Sequence, residues 1–130
     1  MNTIILIIER DSPWSPEMWA SDHEGKRGID NQLVIERKEE WLSIVRDDRV
    51  LDDFDEAERS RLNNLVIAPV TYLLEWRGHL LVESLLRSVP ANLRAAIDND
   101  HGLLLPLQEL ASKPINDWAR ASTLKSADGV

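Results

Sequence analysis

The chain contains no cysteine, which excludes disulfides, thiolate nucleophiles and thiolate zinc sites together. Its 5 glycines are scattered. No glycine-rich loop is therefore available to cradle a phosphate, and no Gly-x-Ser-x-Gly elbow positions a serine. The 3 histidines, His23, His79 and His101, are far apart. His79 and Glu83 have the four-residue spacing that holds a metal on a helix, but no third ligand follows, and the same spacing makes an ordinary surface pair. No stretch approaches the roughly 20 apolar residues of a membrane span. The apolar opening Met1 to Ile8 lacks a basic leader and ends in Glu9-Arg10-Asp11, which predicts a cytoplasmic protein rather than an exported one. These absences together predict a chain without cofactor, without metal and without catalytic activity.

What is present is acid. Against 15 lysines and arginines stand 23 aspartates and glutamates, for a net charge of −8 over 130 residues. Such a field repels phosphate backbones and anionic membranes and draws in basic partners. It equally serves to keep a cytoplasmic protein soluble. The length suits one domain with a real core, expected over residues 1–121, with the small polar stretch 122–130 as a flexible tail.

Hydrophobic patterning predicts an α+β domain, a mixed or antiparallel sheet of about four to five strands with helices packed on it. Thr3 to Ile8 is a β-branched run with the character of a strand buried on both faces. Asp11 to Gly28, broken by Pro13, Pro16 and Gly25, is expected to be irregular. Gln32 to Arg37 predicts a strand, and Glu39 to Arg46 a helix with Trp41, Leu42 and Val45 on one face. Asp55 and Glu58 have capping-box spacing before a helix reaching about Asn64. Val70, Tyr72, Leu74 and Trp76 alternate in a strand opened by Pro69. His79 to Val89 repeats apolar residues at helical spacing. Ala95 to Ile97 and Leu103 to Leu105 flank a polar turn in which Asn99 or Gly102 takes positive φ. A short helix is expected at Leu107 to Ser112, opened by Pro106, and a last helical turn or two at Asn116 to Ala121, anchored by Trp118.

The strongest candidate site is the acidic run Asp47, Asp48, Asp52, Asp53, Asp55, Glu56 and Glu58. Arg49 is the one cation among positions 47–58, so seven minus one leaves −6 there. Val50, Leu51 and Phe54 are interleaved as potential apolar anchors within a charged rim. The plain alternative is a solvated loop and an acidic helix start that suits the helix dipole. Neither this run nor Asp98 to Gly102 completes a calcium-loop pattern. Trp14 and Trp19 sit in the irregular segment and either fold down as a lid or present a contact surface.

Several pieces together resemble small bacterial immunity proteins of contact-dependent inhibition and polymorphic toxin systems. They are Val34-Ile35-Glu36-Arg37-Lys38-Glu39-Glu40-Trp41-Leu42, the strand–turn–helix from Tyr72 to Val89, and Ile97-Asp98-Asn99-Asp100-His101-Gly102. The resemblance implies a protein that binds and occludes the active site of a cognate toxin, often a basic nuclease. The expected contact residues are then Asp47, Asp48, Asp52, Asp53, Phe54, Asp55 and Glu56, with Trp14 and Trp19. Two other classes remain: a small metal-dependent hydrolase, and an adaptor subunit contacting its assembly through Trp14 and Trp19.

Overall fold

The apolar run Ile4-Ile5-Leu6-Ile7-Ile8, β-branched at all but Leu6, needs apolar neighbours on both sides. Asn2–Glu9 (β1) finds them inside the sheet of the computed structural model, which describes residues 2–99, 101–110 and 113–121. The other strands are β2 (Lys26–Arg27), β3 (Leu33–Glu36), β4 (Trp41–Arg46), β5 (Pro69–Arg77), β6 (Ala95–Asp98) and β7 (Leu104–Pro106). They lie in the order β2-β3-β4-β5-β1-β6-β7, with every neighbouring pair antiparallel. The sheet thus has seven strands rather than four to five.

The pleat of β1 divides the core in two. Ile4, Leu6 and Ile8 face the larger, front side with Leu42, Ile44, Tyr72, Leu74, Trp76 and Ile97. Two helices cover that side, α1 (Pro16–Asp22) through Trp19 and Ala20, and α3 (Leu80–Arg87) through Leu81, Val82, Leu85 and Leu86. Trp118 closes it from the C-terminal end. Ile5 and Ile7 face the back, where α2 (Glu56–Leu65) contributes Leu62 and the segment before it contributes Phe54. The alternation read in Val70 to Trp76 holds, since all four apolar members are buried in the front cluster.

The expected helix at Glu39 to Arg46 is instead β4. Trp41, Leu42 and Val45 do fit a helical face, but Leu42 and Ile44 alternate with Ser43 just as well. Ile44 and Val45 are β-branched, and both neighbouring strands offer free ladder groups. Tertiary pairing therefore decides between two compatible periods. Trp41 accordingly lies half-buried on the back face, whereas Trp76 and Trp118 are core.

The irregular segment is also more ordered than expected. Ser15 caps α1 by accepting from the Met18 amide at 3.3 Å, and Pro16 takes the first helical position. Toward the C-terminus, the expected helices shrink to 3-10 turns at Leu107–Glu109 and Ile115–Asp117. Residues 111–112 of the expected helix, and the expected tail 122–130, lie outside the described residues.

One long-range cap joins the β3–β4 hairpin to α3. Glu40 Oε1 accepts from the amides of Leu80 at 2.7 Å and Leu81 at 3.1 Å, satisfying donors that the helix leaves open. Gly78 has φ +73°, and a Cβ there would lie 2.5 Å from Glu40 Cγ. Gly78→Ala is therefore expected to cost about 1–2 kcal/mol from backbone strain, with more from the displaced cap. A urea midpoint no lower than wild type would show that this turn relaxes freely.

Candidate partner-binding surface

The acidic run is held to the sheet through its own backbone and side chains. Asp47 opens a 3-10 helix over Asp48–Asp53. Its amide donates to Thr71 O at 3.0 Å, and its carbonyl accepts from the Thr71 hydroxyl. Asp48 Oδ1 accepts from the Thr71 amide at 3.2 Å, while its Oδ2 accepts from Arg46 at 3.1 Å. Thr71 is fully buried, so these bonds stitch the acidic segment to the start of β5. Asp47 also grips Arg49 in a two-pronged pair, at 3.0 Å to Nε and 3.1 Å to Nη2. Those bonds, with one from the Arg49 amide, hold the Asp47 carboxyl below the usual carboxylate range. The stabilisation is therefore present above the unfolded-state value and fades as pH falls through the depressed folded one.

Phe54 is 7% exposed and packs with Ile5, Ile7, Leu62 and Val66. It anchors the segment to its own core and is not available to a partner, a correction to the expected contact set. Val50 and Leu51 are half-buried against the same cluster. The expected capping box is present: the Glu58 amide donates to Asp55 Oδ1 at 2.7 Å, and the Asp55 amide donates to Glu58 Oε1 at 3.2 Å. Arg59 then reaches back to the carbonyls of Phe54 and Leu51, both at 3.0 Å. This puts a cation against the acidic segment, so the local field is weaker than positions 47–58 alone suggest.

What remains is a short list. Asp52, Asp53 and Glu56 are exposed, and their side chains make no hydrogen bond or ion pair among the described residues. Asp47, Asp48 and Asp55 carry structural duties as well as charge.

The two tryptophans resolve in favour of the lid. Trp19 is 5% exposed in the front core and stacks on His23, with ring centroids 4.2 Å apart. It is therefore removed from the contact set. Trp14 is half-buried against the same core. Tyr72, reached by neither reading, donates its hydroxyl to Glu17 Oε1 at 2.7 Å and ties α1 to β5. Burial, followed by that hydrogen bond, pushes its pKa far up. Tyr72→Phe is expected to cost about 1–2 kcal/mol, because half-buried Glu17 loses its donor. Comparing urea midpoints with a Glu17→Gln variant checks this, and an unchanged Tyr72→Phe midpoint would contradict it.

The histidines serve other ends. His79 and Glu83 are 3.9 Å apart, and Glu83 Oε2 accepts from the Ile115 amide at 3.0 Å, bracing the C-terminal segment. Among the described residues, no three metal-ligating side chains converge, and no helix is long and apolar enough to cross a membrane. Comparisons with family models, with curated proteins and with solved structures find nothing that matches this chain.

Proposed function

We propose that the chain is an immunity protein, a cytoplasmic stoichiometric inhibitor that binds a basic bacterial toxin and occludes its active site. One observation carries the reading. Asp52, Asp53 and Glu56 present unpaired carboxylates on a segment that Phe54, Thr71, the capping box and Arg59 all hold in place. Charge fixed in this way steers a basic surface at long range and loses little conformational freedom on contact. In this reading the unpaired carboxylates imitate the phosphates of a nucleic-acid substrate. Nothing in this role asks the chain to carry a cofactor or to do chemistry.

The test is direct. The C-terminal domain of the protein encoded in the neighbouring reading frame is purified and mixed with the chain, and mass by light scattering and nuclease activity are followed together. A one-to-one complex with activity lost at equimolar chain is expected. Separate species with full activity would overturn the proposal.

A second reading, as an adaptor subunit, draws support from a different surface than Trp14 and Trp19. On the back face α2 packs over β6 and β7, while Val34, Trp41 and Val45 on β3 and β4 stay half-buried. Concentration-dependent self-association abolished by Trp41→Ser would favour it.

A further inference from the structure

On the back of the sheet α2 packs over β6 and β7, and the half-buried Val34, Trp41, Val45 and Leu73 lie beyond it on β3, β4 and β5. The strand register fixes what surrounds them, because directly opposed side chains share a face. One row runs from Glu36 through Trp41 to Arg77. The next runs from Lys26 through Val34 and Ser43 to Glu75. Each row is uncharged in the middle and carries opposite charges at its ends, and the order reverses from one row to the next. Two cations against two anions sum to zero, in a chain of net −8. None of the four makes an ion pair or a side-chain hydrogen bond among the described residues. Ser43, the polar group at the centre, accepts from Gln32 Nε2 at 2.6 Å. The middle of the face can therefore shed water without orphaning its one side-chain hydroxyl.

We infer that this face receives the same face of a second copy of the chain, about a two-fold axis running along β4. Such an axis lays each row over its own reverse. Glu36 then meets Arg77 of the second copy and Lys26 meets Glu75, each contact occurring twice. Trp41 and Val45 pack on their counterparts beside the axis, with the strands aligned as in other sheet-on-sheet contacts. A face without net charge draws neither a basic nor an acidic partner, whereas its internal order of charge fits a copy of itself. Four strands about 4.8 Å apart make a narrow interface, so a dissociation constant of about 10 μM is expected. This gives an occupant to the face on which the adaptor reading draws, but it rests on neither functional reading, since Asp52, Asp53 and Glu56 lie outside the paired rows.

Sedimentation velocity of the full-length chain over a concentration series, at physiological salt, reads the balance of monomer and dimer. Glu36→Arg sets arginine on arginine at both symmetric contacts and should weaken the dimer about tenfold or more. Arg77→Glu should do the same with glutamate on glutamate. Neither side chain holds the monomer by a bond, so the urea midpoints of dilute samples should stay at the wild-type value. Mixed in equal amounts, the two variants should recover a dimer, because every Glu36–Arg77 contact between unlike copies again joins opposite charges. A wild-type chain still monomeric at about 1 mM would overturn the proposal. So would a dimer indifferent to both reversals, or variants that remain apart after mixing. A dimer that inhibits the toxin, with one bound per copy, keeps the inhibitor reading beside it; a dimer that ignores the toxin leaves the adaptor reading.

Discussion

Lysine in place of Asp52, Asp53 and Glu56 together is expected to slow association with a basic toxin by about 10- to 100-fold at low salt. Each replacement turns an attractive charge into a repulsive one, and none of the three side chains holds the fold by a bond among the described residues. The fold should therefore survive. Only Glu56, in the first turn of α2, favours the helix dipole, so reversal there costs up to about 1 kcal/mol. The neutral triple variant, Asp52→Asn with Asp53→Asn and Glu56→Gln, should fall between wild type and the reversal. Raising the ionic strength should bring all three proteins together, since exposed charges are screened beyond about 8 Å at physiological salt. Stopped-flow association rates across a salt series read this out. Parallel, unaffected rates would mean that some other surface meets the partner.

The largest effect on stability is expected at Asn99, a fully buried side chain where the β6–β7 turn meets the C-terminal segment. Its Oδ1 accepts from the amides of His101 at 2.8 Å and Leu103 at 3.1 Å. Its Nδ2 donates to the carbonyls of Trp118 at 2.8 Å and Ala121 at 2.7 Å. One amide group thus shapes a turn and pins the segment that carries Trp118 into the front core. Asn99→Ala orphans four backbone groups and is expected to cost roughly 3–5 kcal/mol, a large share of the ~5–15 kcal/mol typical of a domain. Asn99→Asp keeps the two accepted bonds but sets a carboxylate against two carbonyl oxygens. Burial and those oxygens raise its folded pKa above the unfolded value, so the penalty should be largest at neutral pH and shrink as pH falls toward that value. Urea unfolding at pH 7 and pH 5 tests both variants. An Asn99→Asp penalty that stays flat between the two would contradict this hydrogen-bond arrangement.

The sequence makes some of this arrangement legible and hides the rest for identifiable reasons. β1 and β5 are readable because each pattern has a single solution: a run apolar on both faces, and a strict alternation. Asp55 and Glu58 are readable because a capping box is local. β4 is not, since Trp41 to Val45 fits two periods and only its partners β3 and β5 choose between them. β2 is a two-residue edge strand with no apolar pattern to betray it. α1 is announced by Ser15-Pro16-Glu17 but outweighed by the surrounding prolines and glycines. The run of acids is plain in the sequence, yet its division into structural and unpaired members depends on Thr71 and Arg46, partners that charge counting does not see. Phe54 illustrates the same limit: an apolar residue among charges reads as an anchor, and whether it anchors a partner or its own core is decided by Ile5 and Ile7.

Amide hydrogen exchange of the chain, free and saturated with the basic toxin domain, places the contact most directly. The account predicts slowed exchange over residues 50–61, with β3 and β4 unchanged. Protection confined to β3 and β4, with residues 50–61 exchanging as in the free chain, would contradict it.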